Sequence, residues 1–563
     1  MGEVLIIQIC NYNVLIKTLI IFVVFSFFKS DSTYSQKNSQ KLTLINKNET
    51  DVNKLGYYLS LVYAEKNKDF ERVPKYLTIL RDDIVDLTFI KRAFFSSLLI
   101  DDWQNTYYFA EKIIIFEPSD LFANIVISTN SYIEKDYLKS QVALKRLQNS
   151  DFVSYFNEII ISWIQLSIDD TKNDFLDKKG DECIPMVCLH RALMYSLLNE
   201  KSLAKKNFDK LTFGESQSHR IMEILLYFYQ SINDDKKIKM IKESLEKDGF
   251  ISRSYYTNDD SLNYITQYSH GLSELYFNIS GWFYQKDMLE FAVYFSNISL
   301  KIRPDFRAQK ILLSSIYEKL SLNSLALNAL NGILDNDFYY LKASKLKIQI
   351  LGQMQREKEI TGLLNNLVVL FPRKNEFKVL LAKSLHNEKK YLDAIDYYSQ
   401  VIEFNSLRNV ENWDLYYSRG MSFERIKNWK KADKDFLKAI EINPEAAFVL
   451  NYLGYSWLER GVKLKKALEF ITIASEILPN NGYIIDSLGW AYFLLGKYQK
   501  SIDILEHALK ILPLDPTLND HLGDAYWKVG REKEALSQWK RVLIFKSDYE
   551  FKKKIRKKIS SGL

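Results

Sequence analysis

Four glycines, Gly420, Gly454, Gly489 and Gly523, fall 34, 35 and 34 residues apart, and the same residue types return around each of them. Three residues on stands an aromatic ring (Phe423, Trp457, Tyr492, Tyr526), and about twelve on a small residue (Ala432, Ala467, Ser501, Ala535). A bulky side chain comes next (Phe436, Ile471, Leu505, Trp539), followed by Ala439, Ala474, Ala508 and Val542. Pro444, Pro479 and Pro513 close three of the four units. Small residues at fixed points let two helices approach closely, and the ring fills the space beside them. The small residue near the twelfth place opens the inner stripe of a second helix, whose apolar partners follow at helical spacing. Proline then stops that helix because it cannot extend the hydrogen-bond ladder. A helix pair of this size cannot bury its own apolar face, so it must stack on a neighbour. The pattern predicts an all-α chain, a solenoid of stacked helix-turn-helix units.

A solenoid grows in one dimension, so 563 residues need not divide into several globular domains. Hydrophobic residues at 47% and aromatics at 14% supply a packed interior, while 19 Gly and 9 Pro are few enough to favour long helical runs. The net charge of +7 is modest and its signs are interspersed, which gives no nucleic-acid footprint.

Residues 413–550 hold the four clear repeats. Upstream, 271–412 reads as divergent units, marked by Phe283, Ala292 and Pro304, by Tyr317 and Ala326, by Leu364 and Pro372, and by Ala382 and Ala394. The stretch 249–270, rich in Ser, Tyr, Asn and Asp, reads as an irregular connection between two sub-arrays. Residues 54–248 carry degenerate helical repeats, and 36–53 a flexible linker. At 551–563, Phe551, Ile555 and Ile559 form one apolar stripe among Lys552, Lys553, Lys554, Arg556, Lys557 and Lys558. That pattern suits a basic capping helix over the last repeat; a contact with an acidic partner or a membrane surface is the sharper reading.

Residues 1–35 stand apart. Lys17 precedes an apolar run over 19–28, followed by Lys29 and polar residues from Ser30. Such a run is too short to span a bilayer but fits the core of a secretory signal, with Thr33 and Ser35 as small residues ahead of a cleavage point. A cleaved signal, a retained N-terminal anchor and a cytoplasmic chain are the three readings. Cys10 lacks the small residues of a lipid-attachment site before it. Cys183 and Cys188 read as free or buried thiols, as a disulfide, or, with His190, as a poor zinc set.

No constellation for catalysis converges. The six histidines are scattered, and no metal-ligand spacing is present. The span from Gly489 to Lys497 imitates a phosphate loop but has the wrong spacing and Tyr498 in place of Ser or Thr. His521 and Asp524 share a helix face, where they read as an exposed repeat pair or, less simply, as an acid–base pair.

The period and most of the filled positions resemble the tetratricopeptide repeat (TPR) family. The resemblance implies a right-handed superhelix whose first helices line a concave groove, with the residues three before, one after and four after each repeat glycine pointing into it. On this chain those positions are Tyr417, Met421 and Glu424; Asn451, Tyr455 and Leu458; Asp486, Trp490 and Phe493; and Asp520, Asp524 and Trp527. Aromatics facing solvent would anchor a peptide, Asn451 would bond a ligand backbone, and Asp486, Asp520 and Asp524 would favour a basic or amide-rich partner. The opposing reading packs Trp490 and Trp527 against neighbouring repeats. The words Asn451-Tyr452-Leu453-Gly454-Tyr455, Asp486-Ser487-Leu488-Gly489-Trp490 and Asp520-His521-Leu522-Gly523-Asp524 are similar to the last repeats of bacterial cell-envelope TPR proteins. Some of those are adaptors for a periplasmic C-terminal processing protease and its cell-wall hydrolase substrates. This resemblance implies an exported, non-catalytic scaffold of the periplasm or envelope, taking protein or peptide partners and no cofactor. Two other classes stay open: a membrane-anchored assembly or secretion factor, and an enzyme with its site in 150–270.

Overall fold

The computed structural model describes residues 49–67, 69–70, 72–147, 151–169, 174–177, 184–211, 219–247, 264–545 and 548–563. The N-terminal run at 19–28, Cys183 and most of the expected connection at 249–270 lie outside these residues. The described residues form helices and no strand, and the chain divides into two compact units, Met1–Arg356 and Glu357–Leu563. The division falls inside the stretch read as divergent repeats rather than at 249–270.

One backbone device recurs in both units. Between one helix and the next a single residue takes the left-handed conformation, and the following N–H reaches back to the carbonyl five residues earlier. Among the described residues twelve turns of three or four residues show it, at Asp101, Lys135, Asn199, Asn233, Asp287, Ser321, Gln355, Lys389, Lys427, Gly461, Gly496 and Gly530, and Asn409 repeats it in a longer connection. Examples are Asp102 N–H to Ser97 O at 2.8 Å and Lys497 N–H to Tyr492 O at 2.9 Å. This closes the orphan carbonyls at each helix end. Eight of the twelve turns lie beyond Gly271 and four before it.

In the first unit, helices α1 (Leu87–Leu99), α2 (Leu121–Ile133), α3 (Asp151–Ile168), α4 (Pro185–Leu197) and α5 (His219–Ser231) each lead a repeat. Asp86 and Asp120 start α1 and α2 by accepting from the N–H of Phe89 and Ala123. The next pair, α6 (Tyr268–Gln285) and α7 (Leu289–Ile302), does not extend the row. It packs back into it: α6 lies against α3 and α4, and α7 against α1 and α2. Tyr294 OH donates to Phe122 O at 2.6 Å, and Asn297 Nδ2 to Leu98 O at 2.6 Å. A Cβ on Gly271 would stand 2.2 Å from the Trp163 ring. Helix α7 is apolar nearly all round, which is the signature of a helix with no wet face. The inner side of this unit is thus filled by its own chain, a departure from a groove running the length of the array.

The second unit is an open α-α array. Its clear repeats are α8 (Trp413–Arg425) with α9 (Trp429–Ile442), α10 (Ala447–Glu459) with α11 (Leu464–Ile477), α12 (Gly482–Leu494) with α13 (Tyr498–Ile511), and α14 (Pro516–Lys528) with α15 (Glu532–Ile544); α16 (Tyr549–Ser561) follows. The periodic glycines sit at helix–helix contacts. A Cβ would meet Phe436 at 2.8 Å from Gly420, Ile471 at 2.7 Å from Gly454, Leu505 at 2.6 Å from Gly489 and Trp539 at 2.5 Å from Gly523. Small and bulky residues therefore interlock as their spacing predicts. The second helices end at Ile442, Ile477 and Ile511, each two residues before a proline. First helices also touch one another, α10 with α12 and α12 with α14, while no comparable contact joins the described second helices. The first helices are the crowded, inner row.

Candidate functional site: the inner face of the second unit

At 100° per residue, positions six and three before each repeat glycine, and one, four and five after it, share one side of the helix. On α10 that side carries Phe448, Asn451, Tyr455, Leu458 and Glu459; on α12, Tyr483, Asp486, Trp490 and Phe493. The structure sorts these residues into three kinds. Leu458 and Phe493 are buried and belong to the core. Tyr417, Met421, Asn451, Tyr455, Asp486 and Trp490 are half-buried, packed at one edge and open at the other. Phe448 and Tyr483 stand out at 59% and 62% exposed. The transferred positions missed both rings, although the same helical arithmetic reaches them.

The half-buried groups are held firmly. Tyr417 meets Tyr452 edge-on with centroids 5.7 Å apart, and Glu424 accepts from both Tyr452 OH and Ser456 Oγ. Trp490 stacks on Phe493 at 4.6 Å and on His521 at 4.0 Å, while its Nε1 donates to Glu459 at 3.1 Å. So Trp490 both packs and shows an edge. His521 pairs with Asp486 across the helices, Nδ1 to Oδ1 at 2.9 Å, and not with Asp524. Burial works against the charged imidazole, but the Asp486 carboxylate outweighs it and His521 is raised above its ordinary value. Tyr455 is raised by burial and by the carboxylates of Glu459 and Asp486. Asn451 Oδ1 is buried with no hydrogen-bond partner among the described residues.

The last repeat differs from its expected exposure. Asp520 and Asp524 are buried, and Trp527 is half-covered, because α16 lies over them. Lys558 Nζ donates to Asp520 Oδ1 at 2.6 Å and to both oxygens of Asp524 at 2.8 Å. Trp539 Nε1 donates to Asp524 Oδ1 at 3.1 Å. Ile555 is fully buried, with Phe551 and Ile559 beside it on the same apolar cluster. Burial and the neighbouring Asp520 push the Asp524 carboxyl up to about 6 despite Lys558. Lys558 was hidden in the sequence by its run of cations; its place three residues after Ile555, on the apolar stripe, was the available signal.

Elsewhere, the span 150–270 holds a small cavity lined by Leu193, Phe208, Arg220, Glu223, Tyr227 and Tyr264. Arg220 there is tied to Glu223 at 2.6 Å and Glu274 at 2.7 Å, and Tyr339 OH donates to Glu223 at 2.6 Å. These charges pair with one another and bind α5 to α6, although Glu274 Oε1 is left without a hydrogen-bond partner among the described residues. Cys188 is disulfide-bonded, to a partner outside the described residues. Among the described residues no group of three His, Cys, Asp or Glu could hold a metal, and no helix is long and apolar enough to cross a membrane.

The family model for the tetratricopeptide repeat matches residues 414–445 and 485–513. A TPR repeat-containing protein of Pseudomonas aeruginosa is 32% identical over 98 residues, 17% of each chain. The BBSome complex member BBS4 of Bos taurus is 29% identical over 121 residues, 21% of this chain and 22% of that one. The chain thus spans less than a quarter of the length of these relatives. Among solved structures, an APC/C hetero-tetramer Cut9-Hcn1 chain aligns at 13% identity and TM-score 0.36, over 85% of this chain and 98% of that one. A MamA double mutant aligns at 16% identity and TM-score 0.28, over 32% and 96%.

Proposed function

We propose that the tetratricopeptide repeats of this chain make its second unit a non-catalytic scaffold, whose inner row of first helices captures a segment of a partner protein. The observation that carries this reading is the strip of Phe448, Tyr455, Tyr483 and Trp490. Phe448 and Tyr483 stand open to solvent there and Tyr455 and Trp490 show an edge, while the back of Trp490 is fixed by stacking on Phe493 and His521 and by its bond to Glu459. A rigid aromatic with one open side gives contact area at little ordering cost, the property of an interface anchor. The strip runs over α10 and α12, where α16 does not cover it.

An envelope or periplasmic setting is part of the proposal. The apolar run at 19–28 with its flanking lysines supports export, and the disulfide at Cys188 fits an oxidising compartment. An envelope protease or a cell-wall hydrolase is the kind of partner the sequence resemblance favours. If 1–35 is retained, the same groove serves a membrane-tethered assembly factor, which N-terminal sequencing of the mature protein distinguishes. The binding test is the pair Tyr455→Ala and Trp490→Ala, made together. The expected outcome is an unchanged helical circular dichroism spectrum with partner capture reduced at least about tenfold, since two anchors at ~1–2 kcal/mol each are removed. Undiminished capture would refute the groove reading.

A further inference from the structure

The strip that the proposed groove presents is acidic as well as aromatic. Glu424, Glu459, Asp486, Asp520 and Asp524 all lie on the inner side of α8, α10, α12 and α14. The cationic groups bonded to them among the described residues are His521, on Asp486, and Lys558, on Asp520 and Asp524. Arg425 adds a positive charge near Tyr452 at one end. At the other end the structure records what such a surface holds. Helix α16 carries six Lys and Arg residues around one turn-spaced apolar stripe; its Ile555 enters the core while Lys558 meets two carboxylates at once. Gly562, at φ +76°, closes on Trp527 so tightly that a Cβ would lie 2.3 Å from the ring.

We infer that the partner segment this groove accepts is a cationic amphipathic helix, and that the chain's own α16 holds the end of the same groove as a resident competitor. The inference rests on the groove reading above and adds the chemistry of the occupant. Its ground is charge complementarity together with repetition. One and two repeats before the covered end, Asp486 beside Trp490 and Glu459 beside Tyr455 again pair a carboxylate with an open ring. A basic helix laid along α10 and α12 therefore finds carboxylates for its lysines and rings for its apolar side, the arrangement α16 already uses. Of the five other cations of α16, Lys552 is half-buried, and Lys553, Lys554, Arg556 and Lys557 are exposed and available to a partner's or the groove's own field.

The experiment uses the full chain and a fluorescent synthetic peptide with the sequence of residues 548–563. In the wild type α16 contests the site. Lys558→Glu, and separately Lys558→Ala, loosen it and are expected to tighten peptide binding about tenfold or more, with the affinity falling steeply as salt is raised. Glu459→Gln, which keeps the acceptor for Trp490 but drops the charge, should weaken binding several-fold in either background. A peptide with Glu at its Lys and Arg positions should not bind. Peptide affinity that is the same in wild type and both Lys558 variants, or indifferent to salt and to Glu459→Gln, would overturn the inference. If the peptide fails yet capture of a natural partner is still lost on Tyr455→Ala with Trp490→Ala, the groove stands and only the cationic occupant falls.

Discussion

At the level of single residues, the helix pairs meet at contacts too close for a methyl group. Gly454 would place a Cβ 2.7 Å from Ile471 and 2.9 Å from the backbone oxygen of Ala467, whereas the atoms nearest to a Cβ on Gly489 belong to the side chains of Leu505 and Ile504. A carbonyl in a helix cannot swing aside, while a leucine can change rotamer. Gly454→Ala is therefore expected to cost about 2–3 kcal/mol and Gly489→Ala about 1 kcal/mol, read from urea unfolding followed by tryptophan fluorescence. Equal costs would mean that the helix pair breathes more than its packing implies. Two titrating groups act at the same end of the unit. Asp524, raised from 3.8 to about 6, and His521, raised from 6.5, both hold their protons more tightly folded than unfolded. Their stabilising contributions are complete below the unfolded values and are lost as pH rises through the folded ones. The last repeats should then be more stable at pH 5 than at pH 8, by on the order of 1–2 kcal/mol. Asp524→Asn and His521→Gln should each shrink that difference in thermal unfolding followed by tryptophan fluorescence. The glycines were legible in the sequence because nothing larger fits; the left-handed turns were not, because Asp, Lys, Asn, Ser and Gln fill nine of the twelve. Each such residue accepts a cost of ~1 kcal/mol that neighbouring contacts outweigh, so the turn leaves no fixed letter.

At the scale of the element, α16 and the pair α6–α7 show what periodicity leaves out. The stripe of Phe551, Ile555 and Ile559 announced a helix that covers a neighbour, and α16 lies on the last repeat. Which groove residues it would cover was not readable, because a lysine inside a run of cations looks solvated. Ile555→Ala removes a fully buried side chain, with an expected loss of about 2–3 kcal/mol and faster amide exchange confined to α16 and the end of α14. Exchange that spreads evenly through α8–α15 would show that α16 is part of one cooperative array and not a separable cover. The pair α6–α7 carries the same helical period as any repeat, yet it turns inward. Its tell was composition: Phe291, Val293, Tyr294, Phe295 and Ile298 surround α7 without leaving a wet face. Pattern gave the helix; only the distant partners Leu98 and Phe122 decide where it lies.

For the whole molecule, one repeat grammar yields two units with different uses of the inner side. In Met1–Arg356 the crowded side of the row is filled by α6 and α7 and closed by hydrogen bonds across 172 and 199 residues of sequence. In Glu357–Leu563 the same side carries open rings and carboxylates and, among the described residues, is covered by α16 at its end. We propose that this second inner side grips a partner protein. This is tested most directly by placing a photocrosslinking amino acid at the position of Tyr483, on the inner row, and at that of Glu441, on the outer helix α9, in cells carrying the full chain. The account predicts a discrete protein adduct from position 483, absent from position 441 and lost when Tyr455→Ala and Trp490→Ala are introduced together. Adducts of equal yield from position 441, or an adduct at 483 that survives the double substitution, would contradict it.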